Sequence, residues 1–77
     1  MIKDMVEYLI KEIVEKPESV LIQERQQGDV DIFEITVDPN DRGKVIGREG
    51  QTIKALRVLI STVVTSNKKF LIDLVQL

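Results

Sequence analysis

Two glycines three residues apart, Gly47 and Gly50, interrupt an otherwise helical stretch in the second half of this 77-residue chain. Glycine adopts conformations with positive φ at no steric cost, so this spacing predicts a sharp turn with no Cβ to obstruct a ligand. A helix that begins directly after the turn would point its free N–H groups at that place and attract phosphate. The sequence therefore predicts two helices joined by a compact turn that can bind an anion.

Signals for these two helices lie on either side of the turn. The Asp-Pro-Asn-Asp cluster at 38–41 predicts the start of a short helix that ends near Ile46, with Gly43 inside it to allow close packing. A second helix is predicted to run from near Gly50 to about Ser66. Its apolar stripe consists of Ile53, Leu56, Leu59, Ile60, Val63 and Val64.

The rest of the chain predicts one further helix and three strands. Apolar residues at helical spacing over 2–13 predict an amphipathic helix that ends at Lys16-Pro17, because the residue before proline is disfavoured in a helix. Short apolar or alternating runs predict strands at 19–26, 30–37 and 69–75, with a hairpin loop at 27–29 and a turn at 67–68. Tyr8, Phe33 and Phe70 are predicted to fill the core. The order α-β-β-α-α-β indicates a single α+β domain over residues 1–77, with its helices on one face of a three-stranded sheet.

Charge is unevenly divided along the chain. The formal net charge is −2, but residues 1–37 carry −5 and residues 38–77 carry +3. A basic half on an acidic protein is typical of a local site for an anionic partner, although ordinary scatter of surface charge would give the same division.

Composition excludes several classes of function. The chain has no cysteine and no histidine, so it lacks thiol chemistry as well as the commonest general base and metal ligand. It contains neither the glycine-lysine pair of a P-loop nor a G-x-G-x-x-G fingerprint. We therefore expect no enzyme, cofactor or metal site.

No apolar run approaches the roughly 20 residues of a membrane span, and Asp4 and Glu7 break any signal-peptide pattern, so we expect a cytoplasmic protein with no membrane partner.

The segment Val45-Ile46-Gly47-Arg48-Glu49-Gly50-Gln51-Thr52-Ile53, set between two predicted helices, resembles the core of a KH domain. In that family the GxxG loop clamps the backbone of about four single-stranded nucleotides. The element order resembles the type II arrangement, in which two strands precede the loop and one follows it. Residues 37–57, together with the first helix and the last strand, resemble the KhpA family of small bacterial RNA-binding proteins.

The resemblance implies single-stranded RNA as the ligand and a role as an RNA chaperone or post-transcriptional regulator linked to cell envelope and cell length control. It also implies a homodimer, or a heterodimer with a larger KH-containing RNA-binding protein. The implied RNA-binding residues are Lys44, Val45, Ile46, Gly47, Arg48, Glu49, Gly50, Gln51, Thr52, Ile53, Lys54 and Arg57.

Two features keep a second interpretation open. Glu49 puts a negative charge in the turn where a basic residue would help phosphate binding, although its neighbour Arg48 can offset it. Ala55, Val58, Leu59 and Thr62 lie together on one flank of the second helix at about 100° per residue and predict a surface for self-association. The alternative is therefore a KH-fold dimerisation module with little or no RNA binding.

Overall fold

A computed structural model describes residues 2–64 and 69–75 of the chain. The elements are α1 (Ile2–Ile13), β1 (Leu21–Gln27), β2 (Val30–Thr36), α2 (Arg42–Ile46), α3 (Gln51–Val63) and β3 (Lys69–Leu74). Short 3-10 turns at Pro17–Ser19 and Pro39–Asp41 precede β1 and α2. The α+β class and the order α-β-β-α-α-β are as the sequence predicted.

The sheet has β2 at its centre. β1 pairs with β2 in antiparallel fashion through a hairpin at Gly28, whose φ is 64°. β3 pairs with β2 in parallel, with Phe33 opposite Ile72. Two parallel neighbours need a connection that returns the chain to the starting end of the sheet, and α2 and α3 form that connection. The turn between the two helices thus lies within the crossover from the central strand β2 to the edge strand β3.

The core lies between the helices and one face of the sheet. In β2 the alternate residues Phe33 and Ile35 are almost completely buried, as the period of two in a strand requires. They pack against the apolar stripes of α1 and α3 and against Ile72 of β3. The buried cluster consists of Val6, Ile10, Val14, Ile22, Phe33, Ile35, Val37, Val45, Ile53, Leu56, Ile60 and Ile72.

Three predicted boundaries were wrong. α1 ends at Ile13 rather than at Lys16-Pro17. α3 ends at Val63 rather than near Ser66, since Val64 is already extended with φ −83° and ψ 115°. All four residues at 62–65 are β-branched, which weakens helix formation there. β1 begins at Leu21 rather than at residue 19, because the 3-10 turn occupies Pro17–Ser19. The predicted turn at 67–68 lies outside the described residues.

Three packing predictions were also wrong. Val63 is 49% exposed, because the buried stripe of α3 is the narrower set Ile53, Leu56 and Ile60; Leu59, which the sequence placed in both the apolar stripe and the flank, is 48% exposed. Tyr8 is 65% exposed on the outer side of α1 and does not fill the core. A Cβ at Gly43 would meet no described atom within 4 Å, so that glycine permits no close packing.

Within residues 2–64 and 69–75, no helix combines the length and apolar character needed to cross a membrane.

Candidate nucleic-acid interface

Positive φ angles at three of its four positions shape the turn between α2 and α3. Gly47 has φ 75° and ψ 175°, Glu49 has φ 55° and ψ 28°, and Gly50 has φ 74° and ψ 14°. The Gly47 N–H donates to the Gly43 carbonyl at 2.8 Å and ends α2, while the Gly50 N–H donates to the Gly47 carbonyl at 3.2 Å. Both of these hydrogen bonds join backbone groups, so the turn is closed by the main chain and not by side chains.

The two glycines of the turn are required for different reasons. A Cβ on Gly47 would lie 2.1 Å from Thr52 Oγ1 and 2.8 Å from Thr52 N, so the start of α3 packs directly on this glycine. A Cβ on Gly50 would have Lys54 Cε as its nearest neighbour, at 4.0 Å. Gly47 is thus needed for its conformation and for close packing, whereas Gly50 is needed for its conformation alone.

Apolar residues on both sides of the turn hold it against the core. Val45 is 1% exposed and Ile53 is 8% exposed, while Ile46 is half-buried. The sequence grouped all three with the RNA-binding residues. The structure places the Val45 and Ile53 side chains in the core, where they support the turn from beneath, and leaves part of Ile46 at the surface.

The outer side of the turn is polar and open. Arg48, Glu49, Gln51 and Lys54 are exposed there. Among the described residues, no side chain caps the amino end of α3, whose N-cap position is Gly50. The Gln51 N–H already donates to the Arg48 carbonyl, so what this 13-residue helix offers an anion is the positive end of its dipole. Arg48 and Lys54 bring two cations to the same place, and Glu49 brings one opposing charge.

The other two predicted cations already have partners within the protein. Lys44 Nζ lies 2.5 Å from Glu15 Oε1. Arg57 donates from Nε and Nη2 to the Ile72 carbonyl, at 3.0 and 2.8 Å, and so covers the outer edge of β3. Arg48 and Lys54 form no ion pair with any residue that the structure describes. The site thus offers an anion two free cations rather than the four that the sequence suggested.

Asp41 fixes the start of α2 relative to the end of α1. It is 2% exposed, and its two carboxylate oxygens accept from the backbone N–H groups of Glu15 and Lys16, each at 3.1 Å. The sequence identified the 38–41 cluster as a helix start, and Asp38 does accept from the Asn40 N–H at 2.9 Å. The role of Asp41 was missed, because its partners lie about 25 positions away and carry no local signal.

The flank of α3 opposite the core has the composition that the sequence predicted for a contact surface. Val58 is 62% exposed and Leu59 is 48% exposed. An open groove runs along the flank, lined by Gln51, Lys54, Ala55, Val58, Leu59 and Thr62. Within the described part of the chain, no group of His, Cys, Asp or Glu side chains is arranged to hold a metal ion.

Comparisons with known proteins point to one family. The family model described as the KhpA/KhpB KH domain matches residues 3–74. A protein of Chlamydia caviae named RNA-binding protein KhpA is 48% identical over 65 residues, which cover 84% of this chain and 83% of that protein. Proteins of the same name from Thermotoga maritima and Clostridium perfringens are 35% and 36% identical over 74 residues, which cover 96% and 95% of this chain and 99% of each relative. No solved structure is significantly similar.

Proposed function

This chain belongs to the KhpA/KhpB family of KH domains, and from that premise we propose that it binds single-stranded RNA through its GxxG turn. The family is one of RNA-binding proteins and not of enzymes. The observation that carries the proposal is the open amino end of α3, flanked by the exposed cations Arg48 and Lys54. We take residues 1–77 as one KH domain.

In the proposed mechanism the turn binds the RNA backbone rather than the base edges. The absence of Cβ atoms at Gly47 and Gly50 lets a phosphate approach the main chain. The positive end of the α3 dipole attracts its oxygens, and Arg48 adds a charge-assisted contact. Contacts of this kind tolerate any base sequence. Transient, sequence-tolerant binding is what an RNA chaperone in the cytoplasm requires, and we propose that role for this chain.

The small number of free cations predicts weak binding with a shallow dependence on salt. For single strands the logarithm of the binding constant falls with the logarithm of salt concentration by about 0.7 per neutralised phosphate. Two free cations, Arg48 and Lys54, therefore predict a slope of about −1.4. The slope can be measured by fluorescence anisotropy with a short labelled single-stranded RNA across a salt series.

The sharpest test replaces Arg48 and Glu49 together by aspartate. Two carboxylates would then face the phosphate path with Arg48 gone, so we expect RNA binding to be lost. The fold should remain, because both side chains are exposed and aspartate accepts the left-handed conformation that Glu49 adopts, with φ 55°. RNA affinity and thermal melting are to be measured on the same preparation.

A matched control distinguishes a local effect at the turn from an effect of the protein's overall charge. Lys3→Asp changes the net charge by the same two units at the exposed first turn of α1, where an acidic residue suits the helix dipole. We expect this variant to retain most of the RNA affinity. If the double aspartate variant melts normally and binds like the parent, the GxxG clamp is refuted, and the dimerisation module becomes the better interpretation.

We also propose that the α3 flank packs against the same flank of a second copy of the chain. Val58 and Leu59 are large apolar residues at its centre, and the symmetric contact of two such surfaces would cover both. Leu59→Glu should shift the mass measured by light scattering from dimer to monomer. Leu21→Glu, at a leucine of β1 that is 52% exposed, is the control and should leave the mass unchanged. A parent that is monomeric alone but pairs with a larger KH protein would replace the homodimer by a heterodimer.

A further inference from the structure

We propose that Glu15 competes with RNA for Lys44 and so weakens the RNA binding of this chain. The inference rests on the function proposed above and concerns the regulation of the same site. Its starting point is the contact of Lys44 Nζ with Glu15 Oε1, at 2.5 Å. Lys44 lies on α2, three residues before the first glycine of the turn, and would otherwise be a third cation for the phosphate backbone.

The position of Glu15 is fixed by its backbone. Its N–H donates to Asp41 Oδ1 and the N–H of Lys16 donates to Asp41 Oδ2, each at 3.1 Å. Asp41 is buried and directly precedes α2, the helix that carries Lys44. The segment after α1 is therefore anchored to α2, the helix that carries Lys44. This anchoring places the Glu15 carboxylate next to Lys44 with little freedom of the main chain, which lowers the entropic cost of the ion pair.

The exposure of the two side chains makes the contact exchangeable. The Glu15 side chain is 77% exposed and that of Lys44 is 45% exposed, so neither is committed to the core. A phosphate that approaches the turn can replace the carboxylate, but it must first break the ion pair. Because an exposed pair contributes little free energy, removing it should tighten RNA binding by about two- to fivefold at low salt.

The ion pair also predicts a change in salt dependence. With Lys44 released, three cations rather than two can neutralise phosphates, so the slope should steepen from about −1.4 to about −2.1. A general change in the field of the protein would alter affinity without recruiting a particular cation. The slope therefore distinguishes release of Lys44 from a mere reduction in negative charge.

The test compares Glu15→Gln with Glu18→Gln, each in the full chain and each with or without Lys44→Gln. Glu18 is exposed in the same segment, three residues further along, and forms no ion pair with a described residue. It therefore matches the loss of charge without the contact. The probe is a short labelled single-stranded RNA of mixed sequence, titrated at several salt concentrations, with thermal melting of every variant.

We expect Glu15→Gln to bind about two- to fivefold tighter with a steeper slope, and this gain to vanish in the Lys44→Gln background. Glu18→Gln should change affinity less and leave the slope unchanged. If Glu15→Gln and Glu18→Gln behave alike, or the gain persists without Lys44, this inference is overturned while RNA binding stands. A parent chain that binds no RNA at all refutes the proposed function and the inference together.

Discussion

The three glycines of the α2–α3 segment should respond in three different ways to one substitution. Alanine at Gly43 adds a Cβ that meets no described atom within 4 Å, in a helix where alanine is favoured. Alanine at Gly50 must adopt φ 74° but also finds open space. Alanine at Gly47 must adopt φ 75° with ψ 175° and would overlap Thr52.

The expected magnitudes follow from these geometries. Gly43→Ala should stabilise the fold by about 0.5–1 kcal/mol, the helix preference of alanine over glycine. Gly50→Ala should cost about 1–2 kcal/mol, the penalty of a left-handed L-residue. Gly47→Ala combines a backbone region that is almost confined to glycine, costing about 1–3 kcal/mol, with overpacking of about 1–3 kcal/mol. The two terms together come to about 2–6 kcal/mol, a large fraction of the stability of so small a protein.

Urea denaturation and thermal melting followed by circular dichroism would measure the series. For a domain of this size each kcal/mol shifts Tm by about 4–8 °C, so the three variants should separate clearly. Gly47→Ala is expected to melt at least about 8 °C below the parent, by the same conversion, or to be largely unfolded at room temperature. Equal losses at Gly47 and Gly50, or a loss at Gly43, would refute the assignment of close packing to Gly47 alone.

Three other substitutions test contacts that the fold provides. Asp41→Ala should lower the free energy of unfolding, measured in urea, by about 2 kcal/mol, because two backbone N–H groups lose a buried acceptor. Asp41→Asn retains one acceptor oxygen and should lower it less. Glu49→Asn should raise Tm slightly, since asparagine adopts positive φ more readily, and should tighten RNA binding by removing a negative charge from the turn. Arg57→Met keeps the aliphatic stem but exposes the Ile72 carbonyl, so a loss of about 1–3 kcal/mol in urea is expected; a fall in RNA affinity at unchanged stability would instead place Arg57 in the RNA site.

Local patterns predicted most of the fold. The period of two in β2 and the apolar stripe of α1 gave the correct elements and faces, because Phe33, Ile35, Val6 and Ile10 repeat at the spacing their elements require. The end of α3 was predicted less well. Apolar residues continue along the sequence beyond Val63, and the apolar pattern does not reveal that a run of β-branched residues ends the helix there.

The candidate site was predictable as a position and less so as an arrangement of charges. Spacing alone located the glycine turn and the open start of α3. The partners of Lys44 and Arg57 lie on other elements, in the segment after α1 and on β3. Only the folded chain brings Glu15 to Lys44, and only the edge position of β3 leaves the Ile72 carbonyl for Arg57 to cover. Long-range pairing of this kind leaves no periodic signal in a sequence.

The parallel pairing of β2 and β3 has a consequence for the order in which the chain acquires its structure. The β1–β2 hairpin joins neighbours in sequence, whereas β3 can pair with β2 only after the intervening segment has folded back across the sheet. Closing such a long loop costs entropy before any strand contact compensates for it. The glycine turn shortens that loop by bringing α2 and α3 together. The turn proposed to receive an RNA phosphate is thus also the turn that brings β3 back to β2, so the proposed binding site and the pairing of the last strand depend on the same backbone geometry.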